Sequence, residues 1–80
     1  MPVIFREKGY EFSFFMFDLG EPMHVHVRQG RKQAKYWIEP LALAWMRGYR
    51  QQELHEIERL IHDNEDLIRE VWQRESEKRQ

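Results

Sequence analysis

Cysteine is absent from the 80-residue chain. Disulfide staples, thiolate metal sites and thiol nucleophiles are therefore excluded, which fits a reducing compartment. Long apolar runs are absent as well, and nothing approaches the roughly 18 consecutive residues that suggest a membrane span. Arg6 and Glu7 interrupt the N-terminal apolar stretch early, so no secretory leader is expected and the expected location is cytoplasmic. There is no surplus of positive charge: 13 Lys and Arg stand against 14 Asp and Glu, a formal net charge of −1. That argues against tight non-specific binding to nucleic acid, which depends on cations placed against phosphates, and leaves only a local basic patch open. Repeats, linkers and low-complexity segments are missing, so residues 1–80 read as one domain near the lower size limit for folding without staples. No helical His-Glu-x-x-His zinc motif occurs, His55 and His62 being seven apart, and no cofactor is expected.

What is present starts with the stretch from Pro22 to Arg28 and the segment it folds back on, Gln33 to Pro40. Side chains alternate along a strand, so Met23, Val25 and Val27 share one face while His24, His26 and Arg28 share the other. In the second segment Ala34, Tyr36 and Ile38 oppose Lys35, Trp37 and Glu39. Gly30-Arg31 suits a two-residue hairpin turn. That turn pairs Val27 with Ala34, Val25 with Tyr36, Met23 with Ile38, His26 with Lys35 and His24 with Trp37. A slip of one residue would mix the two faces, so the apolar pattern fixes the register. One face is expected to be core, and the histidines are expected on the face opposite it.

Residues 1–7 and 10–17 read as another hairpin about Lys8-Gly9. It pairs Phe5 with Phe12, Val3 with Phe14 and Arg6 with Glu11. Phe15 and Phe17 then share a face with Ser13, which calls for a cover from a later segment or a partner. Residues 18–22 are turn-rich. After Pro40, Leu41, Leu43 and Trp45 alternate with Ala42 and Ala44, a pattern open to a fifth strand or one helical turn, ended by Gly48. From Gln51 the period becomes helical: Leu54, Ile57, Leu60 and Ile61 form one stripe and Glu53, Glu56, Glu58 and Arg59 the outer face. No capping residue precedes Gln51. Asp63-Asn64 suits a helix start, with Leu67, Ile68, Val71 and Trp72 following in nearly the same phase, so one kinked helix or two are expected over residues 50–76. Residues 77–80 are expected to fray. The fold class is α+β: an antiparallel sheet of four or five strands with one or two C-terminal helices on its apolar face.

The N-terminal Met-Pro-Val-Ile-Phe-Arg, the segment Pro22-Met23-His24-Val25-His26-Val27, the stretch Ala34-Lys35-Tyr36-Trp37-Ile38-Glu39-Pro40 and Trp72 occur in one order. In that order the chain resembles domain-of-unknown-function family 4160 (DUF4160), small bacterial proteins, from Met1 to about Trp72. Two departures are Met23, where the family usually has a second proline, and Arg50-Gln51, where it has a Ser or Asp cap. Family members are often encoded beside a second small protein, and such pairs have been proposed as toxin–antitoxin modules. The resemblance thus implies a protein partner from a neighbouring gene, alongside the option of a homodimer.

Three readings of the exposed chemistry follow. In the first, Phe15, Phe17, Trp37 and Trp45 are interface anchors, since aromatics beside Arg are what interfaces use. In the second, His24 and His26 act as general acid and base with Arg28 and Lys35 stabilising a phosphorane, which would make a small ribonuclease acting on RNA. In the third, His24, His26 and Glu39 hold zinc or iron, although the register sets Glu39 opposite Pro22, away from His26. The expected function is a component of a toxin–antitoxin-type module acting through a tight protein partner.

Overall fold

Two tight turns organise the front of the chain. At Lys8-Gly9 both residues have positive φ, 54° and 87°, which is the backbone of a type I′ hairpin turn. At Gly30-Arg31 only the glycine is left-handed. The computed structural model describes residues 3–78; the part of the first strand and of the charged tail expected at residues 1, 2, 79 and 80 lies outside the described residues. The strands are β1 (Val3–Glu7), β2 (Tyr10–Ser13), β3 (His24–Gln29), β4 (Lys32–Ile38) and β5 (Leu41–Arg47), followed by helices α1 (Gln51–Asp63) and α2 (Glu65–Lys78). They form one five-stranded antiparallel sheet in the order β1-β2-β3-β4-β5. A 3-10 turn, Met16–Gly20, joins β2 to β3.

The central register is the one the apolar pattern requires. Val25 faces Tyr36, Val27 faces Ala34, His26 faces Lys35 and His24 faces Trp37. The Ile38 amide also donates to the Met23 carbonyl at 3.1 Å, which continues the pairing one step. The outer hairpins depart from simple alternation. In β1 one extra residue, Ile4, slips the pairing, so Val3 lies opposite Ser13 and not Phe14. Phe14 falls beyond the end of β2 and joins a separate cluster with Val71 and Trp72. The segment after Pro40 is a strand, and it too carries a bulge: Leu43 pairs with Tyr36 but Trp45 pairs with Lys35. The extra residue, Ala44, turns Trp45 onto the face of His26, away from Leu41 and Leu43.

Helix α1 lays Leu54, Ile57, Leu60 and Ile61 on the sheet face made by Tyr10, Phe12, Val25, Val27, Ala34, Tyr36 and Ile38. Ile68 of α2 completes that core. Buried apolar surface is worth about 25 cal/mol per Å2, so this layer is the main source of stability. Glu53 supplies the missing cap by accepting the Arg50 amide at 2.8 Å, which explains how the helix begins at Gln51 without a Ser or Asp. The helix glutamates are not a solvated outer row. Glu56 accepts the Tyr10 hydroxyl at 2.8 Å, Glu58 accepts the Tyr36 hydroxyl at 2.9 Å and Glu53 accepts the Lys32 ammonium at 2.8 Å. Asn64 breaks the helix, its side-chain amide donating to the Leu60 carbonyl at 2.8 Å. There are two helices, then, and α2 stays helical through the first two residues of the expected frayed end.

Those phenols make stability sensitive to alkali. Burial first, then the adjacent glutamates, raise the pKa values of Tyr10 and Tyr36, and burial pushes Tyr49 up to about 12. A raised folded pKa favours the protonated form, so its contribution is complete below the unfolded value of about 10 and is lost as pH rises through the folded value. Thermal midpoints are expected to hold level from pH 8 to 10 and then fall, each tyrosine costing at most about 1.4 kcal/mol per pH unit. Tyr36→Phe is expected to make that fall shallower; an unchanged slope in the variant would contradict the account.

Candidate functional site

The 3-10 turn after β2 brings Asp18 under the start of β3. Its carboxylate is buried, and one oxygen, Oδ2, accepts the Phe15 amide at 2.9 Å. The same oxygen lies 3.1 Å from His24 Nε2 and 3.1 Å from His26 Nε2. His24 is fully enclosed, at 0% exposure. Its ring meets those of Trp37, Trp72 and His26 edge-on at 5.4, 5.4 and 5.2 Å. His24 Nδ1 contacts the Pro22 carbonyl at 3.0 Å. His26 is half-buried, with the Phe15 ring against it at 4.9 Å.

Burial alone would raise the Asp18 carboxyl, but the Phe15 amide and the two imidazoles outweigh it and hold the group below the usual carboxylate range. For His26, burial is the larger effect and depresses the imidazole despite the opposing carboxylate. The result is an anionic Asp18 beside a neutral His26, inside a largely apolar surround.

Placement of the expected residues is mixed. His24 does not face solvent, because Trp72 and the 3-10 turn close over the end of the sheet where simple alternation left it open. The set His24, His26, Arg28 and Lys35 is accordingly divided. Lys35 pairs with Glu21 at 3.5 Å and sits over the Trp37 ring at 4.4 Å, and Arg28 lies 4.0 Å from Glu11. Only His26 and Arg28 share an open cleft, of about 160 Å3, with Glu11, Ser13, Phe15 and Trp45. Glu39 is not near the histidines: it binds Arg69 at 3.1 Å. Asp18 stands in its place. In sequence Asp18 read only as a turn former, and nothing local marks a carboxylate that folds back on histidines six and eight residues later.

The aromatic set is largely on one side of the sheet. Trp45 is 43% exposed and lines the cleft beside His26. Trp37 lines a second, mainly apolar hollow of about 180 Å3 with Pro22, Met23, Pro40 and Ala42. Phe15 and Phe17 stack at 5.3 Å on the 3-10 turn, and Phe17 is 72% exposed. All seven residues of β5 are exposed, and among the described residues no strand lies beside its outer edge. No helix among the described residues is long and apolar enough to cross a membrane.

A family model, Domain of unknown function (DUF4160), matches residues 9–73. The chain belongs to DUF4160. The matched span of this DUF4160 domain takes in the whole Asp18–His24–His26 cluster, β5 and Trp72. Neither a curated protein nor a solved structure matches it.

Proposed function

We propose that this domain is a protein-binding module, one half of a toxin–antitoxin-type pair, whose partner adds a strand to the free edge of β5. The observation that carries this reading is β5 itself. It presents Leu-Ala-Leu-Ala-Trp-Met in the open, with Leu41, Leu43, Trp45 and Met46 all at least 40% exposed. A long apolar edge strand left bare is an aggregation hazard unless something pairs with it. Strand addition supplies main-chain hydrogen bonds along such an edge, while hollows for alternate side chains supply selectivity. The two hollows that contain Trp45 and Trp37 lie on the same sheet face and match that need. At the far end of β5, Arg47 gathers with Arg28, Arg31 and Lys32 around one depression, so the partner strand suited to this edge is apolar with an acidic end.

The product of the adjacent gene is the partner to test. Purified together, the two chains are expected to form a stable complex by light scattering. Trp45→Ala is expected to weaken it by about 2 kcal/mol, roughly 30-fold, with the domain still folded. Unchanged affinity for both Trp45→Ala and Trp37→Ala would overturn the reading. The ribonuclease alternative is tested by expressing the chain alone. Growth arrest with RNA cleavage lost in His26→Ala would favour catalysis; harmless expression with intact RNA favours binding.

A further inference from the structure

The cluster beneath β3 has a donor arrangement that partner binding does not explain. We infer that Asp18, His24 and His26 form a binding site for a divalent transition-metal ion, zinc being the ion that this donor set suits. The inference is independent of how β5 is used.

The ligand atoms of the three residues all lie within 4.8 Å of one another, and Asp18 Oδ2 is 3.1 Å from each imidazole Nε2. Around zinc, with bonds near 2.0–2.1 Å, neighbouring ligands sit about 3.3 Å apart, so the set closes on an ion with small side-chain shifts. The orientation of His24 is the decisive point. The Pro22 carbonyl can only accept, so the Nδ1 that contacts it at 3.0 Å carries the proton and donates. Metal-binding histidines are commonly held this way, with one nitrogen donating to a carbonyl and the other aimed at the ion. In the neutral ring Nε2 then presents a lone pair, and another acceptor, the Asp18 carboxylate, lies 3.1 Å away. That contact is close but out of line for a hydrogen bond, and Nε2 is a buried polar atom with no hydrogen-bond partner. A buried acceptor facing a carboxylate is unfavourable, and a cation shared between them reverses the sign of that interaction. Asp18 is oriented in its turn by the Phe15 amide. Two imidazoles and one carboxylate leave a coordination position over, and the exposed flank of His26 gives water access to it. An ion here would also pin the 3-10 turn, and with it Phe15 and Phe17, to the sheet.

The test uses the untagged full chain, stripped with chelator and then titrated with zinc chloride by calorimetry and with cobalt chloride by visible absorption. The expected result is one equivalent of zinc per chain, cobalt d–d bands of low-symmetry coordination, and a thermal midpoint raised by roughly 10 °C at about 100 µM zinc. Asp18→Asn and His26→Gln are each expected to weaken binding at least ~10-fold, and His55→Gln with His62→Gln to leave it unchanged. If either site variant fails to fold, the cobalt spectrum and zinc-dependent midpoint of the unmodified chain decide. A folded, stripped chain that takes up less than about 0.1 equivalent at that concentration would overturn the inference. Uptake that survives in folded Asp18→Asn and His26→Gln would overturn it too.

Discussion

Val25→Asp will abolish the cooperative thermal transition of this domain. Val25 is fully buried, paired with Tyr36 and enclosed in the cluster beneath α1. The substitution gives up about 1.5–3 kcal/mol of apolar burial. It also puts a carboxyl where nothing can pair with it, at a further cost of several kcal/mol whether the group stays ionised or takes up a proton. Stability of about 0.05–0.15 kcal/mol per residue leaves a chain this size little to lose. Far-ultraviolet circular dichroism on heating should show a gradual slope with no midpoint. A melt like that of the parent would mean that Val25 is not in the core, and the whole β3–β4 register would fall with it.

Trp72→Ala is expected to cost about 3–5 kcal/mol, the range for removing a large aromatic from a packed site. Trp72 holds the satellite cluster together: its ring lies 5.1 Å from Phe14 and 5.4 Å from His24, and Ile4, Leu19 and Met23 pack around the same group. Its ring is what carries α2 onto His24 at the start of β3. The thermal midpoint should drop by roughly 12–40 °C, at about 4–8 °C per kcal/mol for a domain this small. Trp72→Phe should recover much of it. A loss below about 1 kcal/mol would show that α2 is not what closes this end of the sheet.

Some of this fold is legible in the sequence and some is not, for physical reasons. Val25, Val27, Tyr36 and Ile38 were legible because a strand with one buried face allows a single register, and a two-residue turn counts out the partners. Ile4 and Ala44 were not, because a bulge adds one residue without changing composition and so leaves no mark in an alternating pattern. The cost of missing Ala44 was the orientation of Trp45, which binary alternation put with Leu43. Tyr49 is buried against Tyr10 with no periodic signal around it. His24 and His26 could be singled out by residue type, but burial of the first depends on Trp72, 48 positions away in the numbering of the chain. Asp18 is the clearest omission. A carboxylate in a turn looks the same in sequence whether it caps the turn toward solvent or folds inward onto imidazoles.

The two edges of the sheet are not alike, and this sets how far any assembly can grow. β1 ends in the exposed charges of Arg6 and Glu7, and α2 lies against it. β5 at the opposite edge is exposed throughout and apolar as far as Met46. Filaments require each subunit to offer two complementary edges, one to receive and one to give. On the reading proposed above, pairing along β5 takes the one open apolar edge among the described residues, so the molecule would have a valence of one: a first addition, by another protein or by its own copy across a two-fold axis, would leave no edge of the same kind for a second.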